Sequence, residues 1–142
     1  MSSEKLGVAD YPLAEKRPEL IEGQRGKALA GITLAAVLDG SVGMEDLRIT
    51  PRALAQQAEI ARSAGRPTLA DNFERAAELV AVPQEFIMQV YELLRPGRAQ
   101  NPAPLLKAAA TLRDTYGARR MAAFLEEAAE VYAKRGLFTR RY

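Results

Sequence analysis

From Thr50 onward, apolar residues recur at three- and four-residue intervals, and the chain reads as a succession of amphipathic helices. In TPRALAQQAEIARSAG, Thr50 stands at the N-cap, Pro51 at the first helical position and Gly65 just past the end. Leu54, Ala58 and Ala61 line one face of that helix. A second runs from Pro67 to about Ala81, with Leu69, Phe73, Ala76, Ala77 and Val80 expected inward. A third opens at Pro83, carries Phe86, Ile87, Val90, Leu93 and Leu94, and stops at Pro96-Gly97. After the loop GRAQNPAP, Asn101 or Ala103 leads into a fourth, with Leu105, Leu106, Ala109, Leu112 and Tyr116 inward. The fifth follows Gly117 and reaches about Arg135, turning Met121, Phe124, Leu125, Ala128, Val131 and Tyr132 to the core. No segment has the strict alternation or β-branched enrichment of a strand. The pattern predicts an all-α fold, a compact bundle of about five helices preceded by an extended N-terminal arm.

Upstream of Gly31 no period is sustained. Pro12 and Pro18 push the residues before them out of the helical region, so DYPLAEKRPELI reads as an extended arm with local turns. Tyr11, Leu13, Leu20 and Ile21 are apolar groups that a free tail has no reason to carry, so the arm is expected to lie on a surface. GQRGKALAG, residues 23–31, lacks the Gly-Lys-Ser/Thr of a phosphate loop and reads as a flexible hinge. Thr33 is placed to cap a short helix over Leu34 to Leu38 that ends at Gly40, followed by a turn through Met44 to Leu47. The expected organisation is residues 1–31 as arm and hinge packing on a partner subunit, and 32–142 as one helical domain.

Composition narrows the chemistry. The 142 residues are 48% hydrophobic and 27% charged, ordinary for a globular chain with room for a core. The longest uncharged apolar run, Ala28 to Leu38, is too short to span a bilayer and lacks a basic lead, so neither an anchor nor a signal peptide is expected, and a cytoplasmic location is the default. There is no Cys, His or Trp. That removes disulfides, thiolate nucleophiles, the usual near-neutral base and the commonest transition-metal ligand from anything this chain can build alone.

Two charged patterns need weighing. Glu126, Glu127 and Glu130 fall on the polar side of the fifth helix, where Arg119, Arg120 and Lys134 can neutralise them, whereas metal-binding bundles turn such carboxylates inward. A helix-turn-helix spacing about Gly65, with pI ≈ 9.0, suggests nucleic acid. The helix that would enter the groove, however, carries Asp71, Glu74 and Glu78 against Arg75 alone, and the net charge is only +2. Basic residues gather instead at the C-terminus, at Lys134, Arg135, Arg140 and Arg141. Glu74 and Glu78, four apart in NFERAAEL, are like charges on one helical face. Asp71 can pair with Arg75, while Glu74 and Glu78 are expected to face a charged surface, either on the neighbouring helix, where Arg48 and Arg62 are candidates, or on a partner protein. A helical domain with an apolar arm and no catalytic set fits a binding module or a subunit.

Six stretches in order carry a resemblance: DYPLAEKRPE (10–19), ITLAAVLDGSV (32–42), DLRITPRALAQQAEIARSAGR (46–66), LADNFERAAELVAVP (69–83), IMQVYELLRPGR (87–98) and AAFLEEAAEVY (122–132). Together the chain resembles the small (gamma) subunit of coenzyme B12-dependent diol and glycerol dehydratases, from about Asp10 to Arg135. The closing FTRRY looks unshared. The resemblance implies an αβγ assembly, doubled to α2β2γ2, that turns 1,2-diols such as propane-1,2-diol or glycerol into an aldehyde and water. It implies that adenosylcobalamin is held by the large and medium subunits, not by this chain, and that the small subunit supplies no catalytic group. Only nine residues precede Asp10, where some relatives carry a longer extension associated with bacterial microcompartments, and prolines fill the loop GRAQNPAPL where relatives often carry acids. The surfaces expected to meet a partner are the arm, through Asp10, Tyr11, Pro12 and Leu13, and the polar positions Arg48, Asn72, Glu74, Arg75 and Glu78. Deleting the arm is expected to leave the helices folded and loosen the complex. The alternatives are a stand-alone helical interaction module or a helix-turn-helix nucleic-acid binder.

Overall fold

Every long helix foreseen from the periodicity is present in the computed structural model, which describes residues 4–139. They are α4 (Pro51–Ser63), α5 (Pro67–Leu79), α6 (Gln84–Leu94), α7 (Ala103–Asp114) and α8 (Arg119–Arg135), preceded by the short helices α1 (Leu13–Lys16), α2 (Leu34–Leu38) and α3 (Met44–Leu47). No strand occurs among the described residues, where one isolated bridge joins Glu22 to Ala28. The fold is all-α, as expected. Contacts divide the chain into two units, Met1–Val80 and Ala81–Tyr142. Arg140 and Arg141 of the basic C-terminus lie outside the described residues.

In the first unit, α4 and α5 form a tight hairpin. Thr50 Oγ1 accepts the Ala53 amide at 3.0 Å, which satisfies one of the unpaired donors at the start of α4. The helix closes in a Schellman arrangement, the Arg66 amide donating to the Ala61 carbonyl at 2.9 Å and the Gly65 amide to that of Arg62 at 3.1 Å. Gly65 sits at φ +72°, where any side chain would be strained. Pro67 then opens α5 directly after this turn. Ala58 and Ala61 meet Ala70 and Phe73 across the hairpin, so the two helices touch over small residues.

The other side of α4 is buried too. Ile60 packs with Leu6 and Leu13, and Leu20 and Ile21 lie against that cluster. The segment read as an extended arm is therefore a chain of short helical turns, at Val8–Asp10, Leu13–Lys16, Pro18–Leu20 and Leu29–Gly31, wrapped onto its own helix. Leu13, Leu20 and Ile21 find cover within this unit, while Tyr11 stays exposed.

The second unit centres on α7 and α8. Leu105, Leu112 and Leu125 are fully buried, and Ala108, Ala109, Ala122 and Ala129 fill the space between them. Burying one such leucine stabilises the unit by about 2 kcal/mol. Phe86 of α6 stacks obliquely on Tyr116, with ring centroids 5.7 Å apart. The Tyr132 hydroxyl donates to the Leu94 carbonyl, and the Gly97 amide donates to the Leu137 carbonyl at 2.9 Å, which ties the end of α8 to the loop after α6.

Three positions expected inward are exposed: Leu69, Leu106 and Phe124. Ala70, Ala108 and Ala122 are buried in their place. Alanines let helix axes approach closely and so fix which face turns in, even where a leucine stands one position away.

Candidate interaction surfaces

The described residues bring no catalytic constellation together. No group of three or more Asp or Glu side chains is placed to hold a metal among them, and the whole sequence offers no His or Cys. Two of the three α8 carboxylates are engaged in ion pairs: Glu126 accepts from Arg113 of α7 at 2.7 Å, and Glu130 from Lys134 at 2.7 Å. The second of these holds the Glu130 carboxyl below its ordinary range. Among the described residues no helix is long and apolar enough to cross a membrane.

The acidic stripe of α5 meets α4 of the same unit. Arg62 reaches Glu74 at 2.8 Å and Asp71 at 3.3 Å, so the cation that answers Glu74 is Arg62 and not Arg48, and Asp71 is taken from across the hairpin. Arg75 donates to Asn72 Oδ1. Residues 73–80, Glu74, Arg75 and Glu78 among them, are half-buried. Such a helix has neither the exposure nor the positive charge to enter a DNA groove.

The sequence-predicted arm residues separate by environment. Asp10 Oδ2 accepts the Gly7 amide at 2.9 Å and Oδ1 accepts from Arg17 at 3.1 Å; these bonds, the backbone one foremost, lower its pKa. Leu13 is buried against Ile60. Pro12, joined to Tyr11 by a cis bond, precedes α1, and the Tyr11 ring stays exposed. Arg48 ends α3 in an extended conformation and is exposed.

Sequence reasoning missed the cluster around Asp46. Arg25 Nε donates to Asp46 Oδ1 at 2.9 Å, and its Nη2 reaches both Asp46 Oδ2 and the Ser41 carbonyl. The Gly43 amide also donates to Asp46 Oδ2, at 2.9 Å. The Arg25 pairing first, then that backbone bond, lowers the Asp46 pKa from 3.8 to about 2. Lys27 adds a second bond to the Ser41 carbonyl. The segment read as a hinge is thus a clamp, with Gly23 pressed on the Asp46 backbone so closely that a Cβ there would lie 2.5 Å from the Asp46 carbonyl oxygen. An acid three residues after Gly43 signalled the cap; nothing in the sequence pointed to Arg25, 21 positions away.

With these surfaces defined, the match to known proteins is decisive. The family model for the dehydratase small subunit matches residues 6–139. The chain belongs to that family. Propanediol dehydratase small subunits of Citrobacter freundii and of Salmonella typhimurium strain LT2 are each 47% identical to it over 134 residues, covering 94% of this chain and 77% of the relative. A dehydratase small subunit is one part of a multi-subunit enzyme, so this chain has partner subunits. The match takes in the clamp, the α4–α5 hairpin and the α7–α8 core alike.

Proposed function

We propose that this chain is the non-catalytic small subunit of an adenosylcobalamin-dependent diol dehydratase. In that role it braces the large subunit that converts propane-1,2-diol, or glycerol, to an aldehyde and water. The observation that carries the proposal is the 47% identity to propanediol dehydratase small subunits along 94% of the chain. The chain's own chemistry agrees with a bracing role. Its residues do not fit the cofactor, because no imidazole is available to ligate cobalt and the open groove on α6, lined by Gln84, Glu85, Met88, Gln89, Glu92 and Arg98, carries two carboxylates and offers no soft donor apart from one thioether. It is the resemblance to the B12-dependent dehydratases that assigns the cobalamin to the large and medium subunits. The assembly is α2β2γ2 and cytoplasmic.

On this reading the arm offers a partner Tyr11 and the rim of Asp10 and Pro12, Leu13 being occupied within the chain. Arg48, the exposed Asn72 and the half-buried α5 positions Glu74, Arg75 and Glu78 complete the polar contacts. The test is co-expression with large and medium dehydratase subunits, followed by size-exclusion chromatography. A stoichiometric complex containing this chain is the expected result. Elution of this chain alone, with a complete enzyme formed from the other two subunits, would contradict it.

A further inference from the structure

We propose that residues 34–49, the α2–α3 segment, form the surface by which this small subunit seats on a partner dehydratase subunit. The proposal rests on the reading above and adds the place of contact. Leu34, Val37 and Leu38 stand at i, i+3 and i+4 on α2, and Met44 and Leu47 at i and i+3 on α3, so each helix presents one apolar face. Those five side chains and Ile49 are exposed, from 47% at Val37 to 79% at Leu38. Six of the thirteen exposed large hydrophobic residues among the described positions fall within these sixteen. Scattered surface leucines need no explanation, but this concentration does.

The exposure is enforced by polar and backbone bonds. Thr33 Oγ1 caps α2 by accepting the Ala36 amide at 3.1 Å. The buried Val42 donates its amide to the Ala36 carbonyl at 3.0 Å, and Asp39 Oδ1 accepts the Ser41 amide at 2.8 Å. Arg25, through Asp46, and Lys27, through Ser41, fasten the far side of the segment. Held this way, the segment has its fixing cost already met before a partner arrives.

The occupant is a larger subunit with an apolar receiving surface, bearing a basic group for the exposed Glu45 and an acid for Arg48. The six residues together expose on the order of 700 Å², close to the about 800 Å² per partner that a stable complex buries. Only the short turn Asp39–Gly43 separates α2 from α3. Its span is at most about 18 Å, so one receiving surface can cover both helices. A second copy of this chain is a poorer occupant. Helices of one turn are too short to interdigitate ridge into groove with themselves, so the receiver must supply the shape.

The test uses the full chain carrying Leu38→Asp or Met44→Asp, with Leu38→Gln as a milder third variant and Met88→Asp on α6 as a control. Circular dichroism and melting of each variant alone verify folding, and titration against the large and medium subunits measures assembly. Leu38→Asp and Met44→Asp are each expected to weaken assembly about tenfold or more, Leu38→Gln by less, with Met88→Asp binding like the unaltered chain. Unaltered chain that assembles while the 38 and 44 variants assemble equally well overturns the docking surface and leaves the family role intact. Loss of assembly on Met88→Asp alone moves the surface to α6, and conversion of a self-associated chain to monomer by Leu38→Asp makes the occupant a second copy; either overturns the proposal. An unaltered chain that binds no dehydratase subunit overturns the functional reading itself.

Discussion

At Asp46 a carboxylate only 2% exposed holds together three pieces of the first unit: the Gly23–Lys27 loop, the Ser41 turn and the start of α3. Its pKa is about 2 folded and near 3.8 when free, so it contributes stability that is fully present above about pH 4 and is lost as pH falls through about 2. Acid titration followed by circular dichroism is expected to show the first unit weakening across that window. Asp46→Asn is expected to lower the melting temperature near neutral pH and to flatten the acid limb; an acid limb that is unchanged in the variant would show that Asp46 does not drive it. Gly23→Ala tests the same joint from the other side. A methyl 2.5 Å from the Asp46 carbonyl oxygen forces the backbone to move, so the variant is expected to melt lower, whereas an unchanged melt would mean the loop is free to shift. None of this pairing was legible in the sequence beyond the acid after Gly43, because an ion pair 21 residues apart leaves no periodic trace.

The long helices were legible because their ends are chemically marked. Thr50, Pro51, Gly65, Pro67, Pro83, Pro96 and Gly117 punctuate the chain at or close to where the structure does. Thr50→Ala removes the acceptor for the Ala53 amide and is expected to cost about 1 kcal/mol in a denaturant titration. Which face turns inward was less legible, since hydrophobicity counts rank Leu106 with Leu105 and Phe124 with Leu125. The alanine seam decided otherwise. Leu125→Ala is accordingly expected to cost about 2–5 kcal/mol and Leu106→Ala about 0.5 kcal/mol or less, and equal costs would refute the assigned phase. Tyr11, Leu13, Leu20 and Ile21 mark the N-terminal segment as one that needs a surface to lie on. Beyond the one stripe expected on α4, Ile60 offers a second, and Leu13, Leu20 and Ile21 pack against it. Deleting residues 4–21 is therefore expected to expose Ile60 and destabilise the α4–α5 hairpin, in place of leaving it intact.

For the whole molecule, the acidic stripe on α5 and the apolar segment before α4 carry different weight. Arg62 already answers Asp71 and Glu74 across a partly exposed surface, where such pairs contribute about 0–1 kcal/mol. Replacing Glu74 and Glu78 by Gln is thus expected to change assembly less than Leu38→Asp does, which one titration series can rank. Family membership followed from ordered sequence stretches; the missing imidazole and thiol only narrowed the chemistry, and the exposed α2–α3 faces emerged from three-dimensional burial alone. The most direct measurement is turnover of propane-1,2-diol with added adenosylcobalamin by this purified chain, by the large and medium subunits, and by all three together. No aldehyde from this chain alone and a stable, active enzyme from the three is the expected result; aldehyde formed by the isolated chain would contradict its role as a brace.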